Sequence, residues 1–350
     1  MPELPEVETV RRGLEKFVVG KQVLNLEILN QNSFAGSHPA KAIAQITAIR
    51  RRGKVLIIDL NNDFSLVIHL KMTGQIVFRK NAIVPHKRSV NWGAGHSTNS
   101  FVNDLPDKST RVIFELSDFP KLSDEDLSPS ESKTYIPDDT DRFVRKDGSA
   151  GLPAYDVFES DGSEKESFGK TFSKLFFNDQ RKFGWIKLMP TKEVENIEFL
   201  RKMGPEPWDE KIHEKFVHNI RRHQNSMIKP AILDQSVIAG IGNIYADESL
   251  WMAKIHPETR VKNLPDEKLE EICVAAAEIM QKSIDSGGST MKNYIKADGT
   301  RGDYLEKFAN VFRRDGQPCP RCNTIIQKIR VAGRGTHICP KCQKPDKINR

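Results

Sequence analysis

The spacing of apolar residues along the chain changes twice. Near the N-terminus, apolar side chains recur at intervals of three or four residues, at Val7, Val10, Leu14 and Phe17. Together with Pro5, which is tolerated in the first turn of a helix, this spacing predicts a short amphipathic helix. From residue 55 the apolar residues instead form short runs, VLIIDL, SLVIHLKMTGQIVF, RVIFEL and KLFFND. These runs predict a β-rich region with turns between its strands.

Helical spacing returns after about Lys187 and is clearest in LEEICVAAAEIMQKSI. Pro205 and Pro207 mark a boundary before this helical part, and the glycines of DSGGST end it. The chain of 350 residues has room for two or three domains. We therefore predict an N-terminal β domain, a helical middle and a small C-terminal region.

Charge is distributed unevenly. Residues 117–170, which separate RVIFEL from KLFFND, hold 14 acidic and 7 basic residues and are rich in Ser, Asp and Pro, which predicts a loop insertion. Because the whole chain carries +7, the remainder carries +14, and the last fifty residues hold 12 Lys or Arg against 4 Asp or Glu. This asymmetry favours nucleic acid as the partner, with a merely solvated basic surface as the alternative.

Membrane insertion and secretion are not expected. No apolar stretch approaches the ~20 residues of a membrane span, and the N-terminus lacks the apolar core of a signal peptide. The expected compartment is the cytoplasm.

Four of the five cysteines form two C-x-x-C pairs, Cys319 with Cys322 and Cys339 with Cys342, with sixteen residues between the pairs. This spacing predicts a tetrahedral site for one structural Zn²⁺, because four thiolates leave no coordination position open. Redox-active cysteine pairs are the alternative. The fifth, Cys273, lies in a helical apolar pattern and is predicted to be a core residue.

Two further stretches carry candidate phosphate contacts. KIRVAGRGTHI, between the cysteine pairs, predicts a β-hairpin with Arg334 near its tip, which either contacts phosphate or is simply solvated. Gly240 and Gly242 form a turn before a helix that starts at Asn243. Such a turn binds phosphate through its amides or is a plain corner between helices. Basic residues upstream, including Lys229, favour phosphate.

Several motifs in the same order resemble those of the formamidopyrimidine-DNA glycosylases, bacterial base-excision enzymes for oxidised purines. They are MPELPEVETVRRGL, RRGKVLIIDL, HLKMTGQ, NDQRKFGW, IKPAILDQSVIAGIGNIYADESLW and the C-terminal cysteine pairs. The resemblance implies an α+β fold with a short N-terminal helix, a β-sandwich, a helix–two-turn–helix domain and a zinc ribbon. We place the catalytic sandwich at 1–187, a linker at 188–206, the helical domain at 207–309 and the ribbon at 310–345.

The resemblance also implies a catalytic set at the N-terminus. Removal of Met1 before a proline leaves Pro2 as a secondary amine that can attack C1′ of a deoxyribose and form an imine. Glu3 is then the proton donor to the sugar, Lys54 is the proton donor for β-elimination and Arg334 is the proton donor for δ-elimination. Taken from the residues alone, Pro2 could merely stiffen the chain, the glutamates could favour the helix N-terminus, and Lys54 could be a cation at a strand edge.

The DNA contacts implied by the resemblance fall into three groups. Met72, Arg181 and Phe183 correspond to the residues that fill the gap left by a flipped base, although Met72 and Phe183 alone would suggest core positions. Asn243, Lys229 and His96 correspond to contacts with the DNA backbone. Residues 295–304 correspond to a lesion-recognition loop.

The partner implied is double-stranded DNA with an oxidised base, and the protein is expected to act as a monomer. The Arg-x-Phe pattern at 181–183 and Leu4 favour oxidised purines over the oxidised pyrimidines of the sister endonuclease VIII group. A catalytically silent, zinc-containing DNA-binding protein is the alternative from another class. Gln180 and Lys182 depart from the usual Pro and Arg of the family, and the acidic insertion, the largest departure, is predicted to project away from DNA.

Overall fold

The computed structural model describes residues 2–80, 90–95, 105–117, 172–288 and 304–345. The first helix, α1 (Leu4–Val18), matches the predicted amphipathic helix. Its apolar positions Val7, Val10 and Leu14 are buried against the strands that follow. The backbone N–H of Glu3 donates to Glu6 Oε2 at 2.8 Å and so satisfies a free donor at the helix start.

Ten strands follow in the described part of the chain: β1 (Gln22–Ile28), β2 (Phe34–Gly36), β3 (Ile46–Arg52), β4 (Val55–Leu60), β5 (Phe64–His69), β6 (Gly74–Lys80), β7 (Val90–Gly95), β8 (Thr110–Ser117), β9 (Phe172–Asp179) and β10 (Trp185–Pro190). They form two five-stranded sheets, with strand orders β1-β8-β9-β6-β7 and β2-β10-β5-β4-β3. Side chains from both sheets, such as Phe114 and Leu56, join one buried cluster. The predicted β-sandwich is therefore confirmed.

The strands on either side of the acidic insertion are direct neighbours. β8 and β9 pair antiparallel, with Ser117 opposite Phe172 and Thr110 opposite Asn178. The chain thus leaves and re-enters the sheet at adjacent positions. Residues 118–171 lie outside the described part of the structure.

The helical part contains α2 (Glu198–Arg201), α3 (Ile212–Arg221), α4 (Ile228–Leu233), α5 (Asn243–Met252), α6 (Asp266–Asp285) and α7 (Tyr304–Lys307). A second apolar cluster joins α3 to α6 and includes Leu4 of α1, so the N-terminus is held by the helical domain. None of the described helices is both long and apolar enough to cross a membrane.

The predicted linker at 188–206 is more ordered than its prolines suggest. β10 continues to Pro190, and Val194 and Leu200 then pack against Val55 and Ile57 on the outer face of β4. A boundary at residue 187 therefore falls inside a strand. Beyond the helices, β11 (Gln327–Val331) and β12 (Arg334–Ile338) form the predicted hairpin between the cysteine pairs.

Candidate active site

The glycine turn before α5 receives the N-terminal segment. The backbone N–H groups of Gly242 and Ile244 donate to the two carboxylate oxygens of Glu3 at 2.6 and 3.0 Å. A Cβ on Gly242 would lie 2.3 Å from Glu3 Cδ, and one on Gly240, whose φ is +92°, would lie 2.4 Å from Leu4. Only glycine fits this close approach. The prediction that these turn amides bind phosphate is wrong for Gly242 and Ile244, because both N–H groups donate to Glu3.

Glu3 is a buried acid with an unusual protonation equilibrium. Burial raises the pKa of its carboxyl to about 7, against the opposing effects of the Lys54 charge and the Ile244 N–H. A carboxyl with this pKa is partly protonated at neutral pH and can therefore donate a proton there. Pro2, directly before it, is also buried.

Lys54 is enclosed next to this carboxyl, with 6% of its surface exposed. Its Nζ donates to the carbonyl oxygen of Ile241 at 2.7 Å, and burial lowers the pKa of its ammonium while the charge of Glu3 opposes that shift. The preceding Gly53 is fixed by its own N–H, which donates to Glu206 Oε1 at 2.6 Å. Lys54 is thus a fixed cation at the site and not a solvated lysine at a strand edge.

An open cavity of about 780 Å³ connects these groups. Among the residues that line it are Glu3, Lys54, His69, Met72, Asn243 and Arg334. Arg334 is the first residue of β12 and is exposed. The structure therefore brings together residues separated by more than three hundred positions in the sequence, with the acid, the lysine and the hairpin arginine around one space.

Met72, Arg181 and Phe183 are solvent-exposed at two neighbouring turns. Met72 follows β5 with 38% of its surface exposed, and Phe183 lies between β9 and β10 with 53% exposed. The Arg181 guanidinium lies 4.8 Å from the centre of the Phe183 ring. Their exposure excludes the core positions that an apolar pattern alone would suggest.

Lys229 is not placed for its predicted contact with the DNA backbone. Its side chain is 1% exposed, and its Nζ donates to Asp247 Oδ1 at 2.6 Å and to Thr336 Oγ1 at 2.7 Å. A buried ammonium held by these partners cannot reach a phosphate, so that prediction is wrong. His96 and residues 295–303 lie outside the described residues.

Sequence reasoning missed His69, the last residue of β5. Burial, followed by the charges of Lys71 and Lys54, lowers the pKa of its imidazole to about 3. Its Nδ1 accepts the backbone N–H of Lys71 at 3.0 Å, so the neutral ring carries its hydrogen on Nε2. His69 therefore offers a neutral hydrogen-bond donor beside the cavity. Its place in HLKMTGQ, three residues before Met72, is the signal that could have identified it.

The four paired cysteines fit one zinc ion. Their sulfur atoms all lie within 4.8 Å of one another, with Cys322 Sγ 3.4 Å from Cys339 Sγ and 3.5 Å from Cys342 Sγ. Zn–S bonds of about 2.3 Å in a tetrahedron place sulfurs about 3.8 Å apart. Trp251 Nε1 donates to Cys319 Sγ at 3.4 Å, which suits a thiolate. With all four ligands supplied by the protein, the metal is structural.

Three family models match the chain. The formamidopyrimidine-DNA glycosylase N-terminal domain matches residues 1–127, the H2TH domain of the same enzymes matches 203–294, and the zinc finger found in FPG and IleRS matches 316–345. Together they support the predicted domain order and the zinc site.

Curated relatives match over nearly their whole length. The formamidopyrimidine-DNA glycosylase of Pediococcus pentosaceus is 35% identical, covering 98% of this chain and 99% of that protein. The Streptococcus thermophilus enzyme is 33% identical, covering 98% and 100%. Among solved structures, the Lactococcus lactis Fpg complex with DNA containing an abasic site has a TM-score of 0.69 at 30% identity, covering 98% of this chain and 100% of that one.

Proposed function

Because the chain belongs to the formamidopyrimidine-DNA glycosylase family, we propose that it excises oxidised purines from double-stranded DNA and then cleaves the strand at the abasic site. One observation carries this proposal. Glu3, with a pKa near 7, lies directly after Pro2 and shares a cavity with Lys54 and Arg334. These are the groups that an amine-based glycosylase and lyase requires.

The nucleophile is the ring nitrogen of Pro2 after removal of Met1. In its neutral form this secondary amine attacks C1′ of the damaged nucleotide, and the bond from C1′ to the base breaks with its electron pair leaving on the base. The amine then loses its proton. The fixed cation of Lys54 favours the neutral amine, because a nearby like charge lowers an ammonium pKa.

Glu3 donates a proton to O4′ of the sugar. The bond between C1′ and O4′ then breaks, the ring opens, and C1′ becomes doubly bonded to the cationic proline nitrogen. A carboxyl with a pKa of about 7 is suited to this transfer at neutral pH. The N–H groups of Gly242 and Ile244 hold the carboxyl group in place before and after the transfer.

Two eliminations follow from the cationic imine. Loss of a proton from C2′ breaks the bond between C3′ and its phosphate oxygen, which is β-elimination. Loss of a proton from C4′ of the resulting unsaturated imine then breaks the bond between C5′ and its phosphate oxygen, which is δ-elimination. Lys54 donates a proton to the phosphate that leaves in β-elimination, and Arg334 donates one to the phosphate that leaves in δ-elimination. Water finally hydrolyses the imine to restore Pro2.

The exposed turns supply the wedge that base flipping requires. Met72 and Phe183 fill the gap left in the stack, and Arg181, stacked on Phe183, hydrogen-bonds the widowed partner base. His69 and Asn243, on the cavity wall, donate hydrogen bonds to the phosphates that flank the lesion. A related L. lactis Fpg variant has been solved in complex with Fapy-dG-containing DNA, which is consistent with an oxidised purine substrate.

A comparison of lesions tests this assignment. Duplexes that contain 8-oxoguanine, formamidopyrimidine or 5-hydroxycytosine are incubated with excess enzyme, and base release is followed in a single turnover. We expect both purine lesions to be released at least tenfold faster than the pyrimidine. Faster pyrimidine release would favour an endonuclease VIII type of enzyme, and DNA binding without any release would favour a silent DNA-binding protein.

A further inference from the structure

Lys229 in α4 is a buried cation that meets an acceptor at each of its three hydrogens. Asp247 Oδ1 lies 2.6 Å from Nζ, Thr336 Oγ1 lies at 2.7 Å and the carbonyl oxygen of Gly335 at 3.3 Å. Asp247 belongs to α5, whereas Thr336 and Gly335 belong to β12. One side chain therefore links two helices to the zinc hairpin.

The other oxygen of Asp247 contacts the same strand. Asp247 Oδ2 accepts the backbone N–H of His337 at 2.8 Å and lies 3.2 Å from His337 Nδ1. The aspartate side chain is fully buried. Lys229 and Asp247 thus hold three consecutive residues of β12, Gly335 to His337, from the helical domain.

These three residues directly follow Arg334. The hydroxyl of Thr336 also donates to the carbonyl oxygen of Arg334 at 3.1 Å, and Asn243 Nδ2 donates to that of Gly335 at 3.0 Å. These contacts therefore hold the backbone at and directly after Arg334. They fix the position of its Cα, from which the side chain extends. Arg334 lines the catalytic cavity from this position.

The zinc site lies at the opposite end of β12. Cys339 is five residues beyond Arg334, which corresponds to about 17 Å along an extended strand. An isolated two-stranded hairpin is only marginally stable in water, so a metal at its base leaves its tip poorly fixed. The tip requires a second anchor.

A buried ion pair is better suited to this task than to raising stability. Desolvation of both charges offsets most of their attraction, and apolar replacements of similar volume are often equally stable. What the pair supplies is directional bonding between defined atoms. We propose that Lys229 and Asp247 are positioning residues for δ-elimination, holding β12 so that Arg334 faces the departing phosphate. This inference rests on the proposed function, in which Arg334 serves that step.

Two variants separate positioning from folding. The double variant Lys229→Met with Asp247→Leu removes both charges and leaves neither partner buried alone. Thr336→Val keeps the ion pair and removes only the hydroxyl that links Lys229 to the Arg334 peptide. Lys268→Met is the matched control, because Lys268 forms an exposed pair with Glu271 in α6. Arg334→Ala provides the reference for a lost δ-elimination.

The measurement is the ratio of δ- to β-elimination products on an abasic-site duplex in a single turnover, together with zinc content. We expect the double variant to keep its zinc and to form β-product within about twofold of wild type. Its δ to β ratio falls at least tenfold, that of Thr336→Val falls about threefold, and Lys268→Met is unchanged.

An unchanged ratio in the zinc-loaded double variant would overturn the inference, as would an equal loss of both eliminations. The reference variant Arg334→Ala shows whether the proposed role of Arg334 itself is wrong. If Arg334→Ala itself retains the wild-type ratio, the proposed role of Arg334 is wrong. If Arg334→Ala loses δ-product while the double variant does not, only the positioning role is wrong.

Discussion

At the scale of single residues, the site depends on a carboxyl group whose ionised form is disfavoured by burial. Glu3 is buried beside Glu6, and burial outweighs the stabilising charge of Lys54 and the backbone donors at the start of α5. The ionised form is therefore disfavoured in the folded protein. A proton donor for neutral pH results, at a cost in stability once the carboxyl ionises.

Glu3→Gln should change how stability depends on pH. The folded pKa of Glu3 is raised from 4.5 to about 7, so the folded state retains a proton that the unfolded state releases. The unfolding free energy of the wild type consequently falls as pH rises through this window. We expect the unfolding free energy of the wild type, measured relative to that of Glu3→Gln, to fall by about 3 kcal/mol between pH 4.5 and pH 8.

Denaturant unfolding at several pH values measures this difference. Glu15→Gln is the control, because Glu15 is a half-exposed glutamate of the same helix. Parallel pH profiles for wild type and Glu3→Gln would contradict the account of the Glu3 pKa.

The buried Asp179 connects the two exposed turns that carry Met72 and Phe183. Its carboxylate accepts the hydroxyl of Thr73, next to Met72, and the backbone N–H groups of Arg181 and Gly184, the latter at 2.6 Å. Asp179→Asn replaces one acceptor with a donor that faces these N–H groups. We expect release of 8-oxoguanine to slow at least tenfold, with cleavage of a preformed abasic site slowed less than threefold, because no intact base remains to be flipped.

Single-turnover rates on the two substrates check this prediction. Asp63→Asn, at an exposed turn between β4 and β5, should leave both rates unchanged. Equal slowing on the two substrates would mean that Asp179 supports the fold and not the wedge in particular.

At the scale of elements, the cysteines divide into one core residue and one metal site. Cys273 lies in α6 with 1% exposure, and burial raises the pKa of its thiol to about 12. The remaining four converge at the base of the β11–β12 hairpin. Their chemical reactivity should follow this division.

A thiol titration at pH 8 should therefore proceed in three stages. We expect no rapidly reacting thiol in the zinc-loaded protein, four after zinc is removed by a chelator, and the fifth only on denaturation. Cys273→Ala, as a control, should abolish the last stage alone. Rapid reaction of Cys273 in the folded, zinc-loaded protein would contradict its assignment to the core.

Element types followed from the sequence because each depends on local spacing. Short apolar runs predicted β4 to β6, helical spacing predicted α1 and α6, and the paired cysteines predicted the metal site. Side-chain environments were harder to predict. Lys229 is buried because Asp247 and Thr336 come from distant elements, and Phe183 is exposed because it lies in a turn. No periodicity encodes such partners.

At the scale of the whole molecule, the catalytic site depends on contacts across most of the chain length. Glu3 of the N-terminal segment is held by the turn before α5, and Lys54 donates to the same turn from the β3–β4 connection. The resemblance could assign roles to these residues one by one. Their common dependence on the glycine turn became visible only in three dimensions.

The acidic insertion should be dispensable for folding and catalysis. Because Ser117 and Phe172 are cross-strand partners, a short hairpin loop can replace residues 118–171 without moving β8 or β9. We expect the shortened protein to fold cooperatively and to process 8-oxoguanine within about twofold of wild type. A DNA footprint or a rate that depends strongly on the insertion would contradict the prediction that it projects away from DNA.

The most direct test of the account is trapping of the imine. The purified protein, with removal of Met1 verified by intact mass, is incubated with an 8-oxoguanine:cytosine duplex and borohydride, and the cross-linked residue is identified by mass spectrometry. We predict a covalent complex on the nitrogen of Pro2. A cross-link on a lysine, or none while the folded protein still binds the duplex, would contradict the proposed mechanism.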